Sequence, residues 1–215
     1  IKIIDLSADF RLNSKEIYKN NYNKTHESPE LLNEFTYGLP EIYKKNIILN
    51  ENIAVPGCYP TSVLLPLIPI LNNNLINTKN IIIDSKSGYS GAGKKFDIKN
   101  IENSVDFNFY NYDTNSHRHI CEIQQQLAIH SATKVNFSFN PHILPNFRGM
   151  MSTIYCDLKT DINISEIKNI LKNFYRKMPF VKILNDKSSA DFFSVQNTNN
   201  CLIKIYKHHS IDRII

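Results

Sequence analysis

Cys58 stands in Val55-Pro56-Gly57-Cys58-Tyr59-Pro60-Thr61, and this setting suits a reactive thiol. Ile53-Ala54-Val55 reads as a short buried strand, Pro56-Gly57 as a sharp turn, and Thr61 onward as a buried helix. A cysteine at such a corner lies beside a helix N-terminus. Free N–H groups and the helix dipole there favour the thiolate. The same residues also suit a buried structural thiol.

Three other stretches carry chemistry. Ser87-Gly88-Tyr89-Ser90-Gly91-Ala92-Gly93 is followed by Lys94 and Lys95. Its glycines would let backbone N–H groups approach an anion, although no Ser or Thr follows the lysine as in a Walker A loop. A plain turn between strand and helix is the other reading. His117-Arg118-His119 precedes Glu122. The imidazoles suit acid/base work, a structural role, or zinc binding with Cys121; the spacing argues against a closed zinc site, so no metal is expected. At the start of a helix, His117 and His119 would reach solvent or a cleft while Ile120 and Ile123 pack inward. Asn140 to Gly149 holds Pro141 and Pro145 and reads as an extended loop presenting His142 and Arg148. Arg148 suits a bidentate grip on carboxylate or phosphate.

The elements that must hold these groups are mixed. Ile1–Ile4, Ile81–Ile83, Val135–Phe139, Thr153–Leu158, Val181–Leu184 and Leu202–Tyr206 read as strands. His119–Leu127 and Ile164–Tyr175 read as helices, the second capped by Ser165. Asn13–Asn52 reads as polar and irregular, with a turn at Tyr37–Pro40. The pattern is the tail of an α/β unit followed by an α+β region.

At 215 residues the chain can bury a sizeable core, and 42% apolar with 21% charged residues describes a soluble globular protein. The net charge of +5 is spread out, so nucleic-acid binding is not expected, whereas anionic small molecules suit it. The longest apolar run, Val63–Leu71, is too short to span a bilayer and contains two prolines, so no membrane partner is expected. Four dispersed cysteines fit reduced thiols in the cytoplasm. The chain starts at Ile1 and stops at Ile215 inside apolar stretches, and is read as a fragment.

In order, these segments match a family. The chain resembles N-acetyl-γ-glutamyl-phosphate reductase through Asp5–Leu12, Tyr37–Glu41, Val55–Thr61, Ser87–Gly93, His117–His119 with Glu122-Ile123, and Pro141-His142 with Pro145 and Arg148-Gly149. The resemblance implies the tail of a Rossmann-type NADP domain, residues 1–57, then an α+β semialdehyde-dehydrogenase-like catalytic and dimerisation domain, residues 58–215. It implies that both family ends are missing and that the protein forms a homo-oligomer.

The resemblance also implies NADPH-dependent reduction of an acyl phosphate in arginine biosynthesis. Cys58 falls on the nucleophile and His117 or His119 on the acid/base group, with His117 favoured and His119 as its orienting partner. Ser87, Gly88, Ser90, Gly91 and Gly93 fall on the segment facing the cofactor. Arg118 and Arg148 are candidates for the substrate's anionic groups. Related aspartyl- or aminoadipyl-phosphate reductases, or an inactive remnant, are the alternatives; Tyr59-Pro60 after the cysteine favours the glutamyl enzymes. Pro66 departs from the family's helix and would cost about 3 kcal/mol in a helix interior.

Overall fold

Asp5, Tyr37 and Ala54 each end a short strand, and the three strands lie parallel with their carboxyl ends together. They are β1 (Ile3–Asp5), β2 (Phe35–Tyr37) and β3 (Asn52–Ala54), in the order β1-β3-β2. The computed structural model describes residues 2–91, 108–159 and 162–215. Gly93 of the glycine-rich segment, with Ala92, Lys94 and Lys95, lies outside the described residues.

The stretch expected to be irregular is ordered. Ser14 caps α1 (Lys15–Tyr22) by accepting the Ile17 N–H, a 3-10 turn spans Pro29–Glu34, and Pro40 opens α2 (Pro40–Leu49). Polar composition hid these helices because α2 buries no residue fully. The unit β2-α2-β3 is a parallel crossover, so ligands are expected outside the carboxyl ends of its strands.

Helix α3 (Cys58–Asn72) is the hub of the core. Val63, Leu64, Leu65, Leu67 and Ile68 are all buried, so the helix is apolar all round, as a central helix must be. It starts at Cys58 itself, earlier than Thr61, with Gly57 as N-cap. It runs through Pro66 and Pro69. Pro69 has no N–H to offer the carbonyl of Leu65 four residues back. The buried Tyr175 hydroxyl donates to that carbonyl at 2.6 Å instead, which offsets part of the cost.

A five-stranded mixed sheet packs against α3. It comprises β4 (Ile81–Gly88), β5 (Tyr110–Asn111), β6 (Phe137–Leu144), β7 (Met150–Asp157) and β10 (Arg213–Ile214), in the order β10-β7-β4-β6-β5. Only β4 and β6 pair in parallel within it. Helix α4 (His119–Ile129) lies between them in sequence. Strand β4 alternates buried and half-buried residues and continues to Gly88, so Ser87 and Gly88 belong to a strand and not to a loop. Likewise β6 carries Pro141 and His142 in register with Ser85 and Lys86. The proline-flanked loop is therefore confined to residues 145–149.

Helix α5 (Ile164–Phe174) buries Ile167 and Leu171 against the core. Its cap is Asn163, whose side chain accepts the Ser165 N–H; Ser165 stands inside the first turn. The parallel pair β8 (Val181–Ile183) and β9 (Cys201–Ile203) completes the fold.

Candidate active site

Cys58 is the first residue of α3 and is exposed, opening into a cleft of about 1120 Å³. Ser87, Gly88, Ser90, Gly91 and Arg148 line the same cleft, as do residues 195–206. The structure thus brings together the cysteine, the described part of the glycine-rich segment and one candidate arginine. It does not bring in Arg118, which is exposed at the start of α4 and away from the cleft lining.

The N–H groups of Gly88, Tyr89 and Ser90 do not form the anion cradle suggested by the glycines. They donate to the carbonyls of Gly149, Asn146 and Phe147 at 2.9–3.0 Å. Gly88 is needed for that close approach: a Cβ there would sit 2.7 Å from the Asn146 and Phe147 oxygens. What this segment presents to the cleft is Ser87, Gly88, Ser90 and Gly91.

His117 and His119 are both buried, contrary to the expectation that they reach solvent. The ring of His119 packs behind Gly57, the residue before Cys58. His117 lies deeper: its Nδ1 accepts the His119 N–H at 3.0 Å, and its Nε2 faces the Tyr112 hydroxyl at 3.4 Å. In neutral His117 the Nε2 atom therefore carries the proton. Tyr112 donates to the Tyr59 hydroxyl at 3.2 Å, and Tyr59 donates to Ser87 Oγ at 3.0 Å. His119 Nδ1 is buried without a hydrogen-bond partner among the described residues.

Burial sets the charge states. It pushes His119 down to about 2, helped by the neighbouring His117 and arginines, and His117 down to about 4. Both imidazoles are neutral near pH 7. Cys58 is pushed above the ordinary thiol value by desolvation, although the N–H groups of Tyr59 and Cys58 and the charge of Arg11 pull it down. The helix N-terminus does act as expected, but protein packed behind the sulfur outweighs it. The resting state is a thiol, with a neutral imidazole packed behind the preceding residue, Gly57.

Two groups that sequence reasoning did not assign hold the corner. Arg11 Nε donates to Val55 O at 2.7 Å. Glu122 Oε1 accepts the Gly57 N–H at 2.9 Å and the Tyr37 hydroxyl at 2.7 Å. A signal for Glu122 was present: on a helix it shares one face with His119, Ile123 and Gln126, which places a charge on a buried stripe. Cys121, by contrast, turns its Sγ back to the Arg118 carbonyl, and burial raises it to about 11. His142 sits beside Asp84 at 3.2 Å and stacks on Phe109. Among the described residues no cluster of three or more His, Cys, Asp or Glu side chains could hold a metal ion. No helix among them is long and apolar enough to cross a membrane.

Residues 58–215 match the family described as semialdehyde dehydrogenase, dimerisation domain. The chain belongs to the semialdehyde dehydrogenase family. It is 43% identical over 212 residues to a Clostridium botulinum (strain Eklund 17B / Type B) protein named N-acetyl-gamma-glutamyl-phosphate reductase, covering 99% of this chain and 62% of that protein. It is 42% identical over 207 residues to one of the same name from Ehrlichia canis (strain Jake), covering 96% and 59%. The chain therefore spans about three fifths of these relatives. Among solved structures, aspartate semialdehyde dehydrogenase II from Vibrio cholerae matches with TM-score 0.68 at 15% identity, covering 100% of this chain and 65% of that one. Aspartate semialdehyde dehydrogenase with NADP from Candida albicans matches with TM-score 0.58 at 9% identity, covering 100% and 64%. These two share the semialdehyde dehydrogenase fold, and the expected fold class of an α/β tail joined to an α+β domain stands.

Proposed function

We propose that this chain carries the catalytic residues of an N-acetyl-γ-glutamyl-phosphate reductase, converting N-acetyl-glutamyl 5-phosphate into N-acetyl-glutamate 5-semialdehyde and phosphate. The observation that carries this reading is Cys58, set at the first position of α3 and opening into the cleft shared with Ser87, Ser90 and Arg148. Relatives of that name at 42–43% identity support it. We divide the chain at Gly57/Cys58, with residues 1–57 as the tail of a nucleotide-binding domain and 58–215 as the catalytic and dimerisation domain. The three-stranded parallel sheet and the extent of the family match support that division. The intact protein is read as a cytoplasmic homo-oligomer.

In the proposed mechanism the Cys58 thiol gives up its proton to neutral His119, and the sulfur attacks the γ-carbonyl carbon. The S–C bond forms as the C–O bond to phosphate breaks, and phosphate leaves with the electron pair, giving a thioester. The expected cofactor is NADP. The cleft fits a nicotinamide ring: Ser87, Ser90 and Gly91 line it with Cys58, and the nearest atoms a Cβ on Gly91 would meet are those of the Ser87 side chain, at 3.4 Å or more. When bound in its reduced form, that group supplies hydride to the thioester carbonyl. The resulting thiohemiacetal oxyanion lies by the N-terminus of α3, whose N–H groups can stabilise it. The oxyanion then re-forms its C=O as the C–S bond breaks, the aldehyde leaves, and the departing Cys58 thiolate takes back its proton from protonated His119.

His119, not His117, is the acid/base group in this reading, because its ring is the one behind Gly57. His117 positions it through Nδ1. Arg148, which lines the cleft, is read as the arginine that meets an anionic group of the substrate. Kinetics of the intact protein test the proposal. Cys58→Ala should abolish reductive dephosphorylation while Cys121→Ala leaves it intact; substantial turnover by Cys58→Ala would overturn the mechanism.

A further inference from the structure

We propose that Arg11 and Glu122 are the positioning residues of the Cys58 corner, a buried ion pair that grips the turn from both sides and balances the charge beside the thiol. This rests on the reading of Cys58 as nucleophile. The turn Val55-Pro56-Gly57 has two backbone groups to satisfy around Pro56, which has no N–H. Arg11, from the segment after β1, takes the Val55 carbonyl at 2.7 Å. Glu122, from α4, takes the Gly57 N–H at 2.9 Å. The two meet at 3.6 Å, with the Glu122 side chain fully buried and that of Arg11 only 10% exposed. Arg11 also donates to Leu6 O at 3.1 Å, and Tyr37 donates to Glu122 at 2.7 Å. The carboxyl ends of all three parallel strands are thereby tied to the residue before Cys58.

A buried ion pair is a weak way to stabilise a fold, since an apolar replacement of the same shape is often as stable. A rigid, charge-balanced turn is what the pair provides. Arg11 favours the Cys58 thiolate and Glu122 disfavours it, against the larger effect of burial. The other titratable groups around this corner are Tyr59 and Tyr112, both coupled to Cys58 and raised by burial, neutral His119 behind Gly57, and Arg148 in the cleft lining. Helix α3 itself brings no charged residue.

The test uses the intact protein and peptide-resolved alkylation of Cys58 by iodoacetamide across the neutral and alkaline range. Cys156 is the internal control: it borders the cleft but is 2% exposed, and burial pushes its thiol up to about 12, so its alkylation rises sharply only if the fold opens. Glu122→Gln keeps an acceptor for Gly57 and Tyr37 but removes the negative charge. The Cys58 inflection should move down, raising alkylation at neutral pH roughly threefold to tenfold for about half to one pH unit. Arg11→Gln should move it up. Opposite shifts with Cys156 protected support the proposal. Shifts of the same sign, or none, would overturn it. If one variant exposes Cys156, the sign of the other decides; exposure in both assigns the pair to folding and overturns it. Turnover does not enter this readout, so failure of the reductase reading would show in the Cys58→Ala kinetics and not here.

Discussion

The Nε2 atom of His119 lies so close behind Gly57 that a Cβ on Gly57 would come within 2.6 Å of it. The glycine is therefore the spacer between the imidazole and the turn that carries Cys58. Gly57→Ala must push either the ring or the turn aside. Displacements of about 1 Å can cost on the order of 10²-fold in rate. Steady-state kinetics should show a loss of that order in kcat with a smaller change in KM. Wild-type turnover would mean that His119 does not act through this contact.

The histidines should separate kinetically. His119→Asn should lose about 10²–10⁴-fold in kcat, the range of a general acid/base group. His117→Asn should lose less, because it holds the His119 backbone and begins the Tyr112–Tyr59–Ser87 chain without facing Gly57. His142→Asn, whose neighbours are Asp84 and Phe109, should change melting temperature more than kcat. A larger kcat loss in His117→Asn than in His119→Asn would reverse the assignment.

Acid should destabilise the fold through these two rings. Each has a folded value below its ordinary 6.5, at about 4 for His117 and about 2 for His119. Below 6.5 the unfolded chain binds the protons that the folded chain refuses, so stability is present above 6.5 and lost as pH falls toward 4 and below. Urea unfolding of the intact protein across that window should show stability falling. The fall should be shallower in His117→Asn than in wild type. An unchanged slope would show that His117 already titrates normally in the folded state.

Tyr175 supplies the partner that Pro69 denies to Leu65. Tyr175→Phe should leave a buried carbonyl unsatisfied and cost about 1–3 kcal/mol. Chemical denaturation measures this directly, and a loss near zero would show that the carbonyl finds another donor.

Much of the site was legible because its residues cluster in short motifs. The Ile53–Cys58 strand and turn, the helix after His119 and the Ile81–Ile83 start of β4 follow from local pattern. The rest depends on contacts far apart in sequence. Gly88, Tyr89 and Ser90 look free as a glycine-rich loop, and only the return of residues 146–149 shows their N–H groups already bonded. Arg11 and Glu122 are 111 positions apart, so their meeting is invisible to periodicity. The raised thiol value of Cys58 is hidden for a similar reason: the helix N-terminus is a local feature, whereas burial by other elements is not. Helix α2 has no periodic signature because Pro40 sets its first turn and no buried stripe runs along it.

The central claim is a thioester on Cys58. The intact protein should be mixed with N-acetyl-glutamyl 5-phosphate in the absence of reduced nicotinamide, quenched in acid, digested and read by mass spectrometry. The expected result is the N-acetyl-glutamyl acyl mass on the peptide containing Cys58, removed by hydroxylamine, with Cys121, Cys156 and Cys201 unmodified. Phosphate release or turnover with no acyl group on Cys58, or an adduct on another cysteine, would contradict the account.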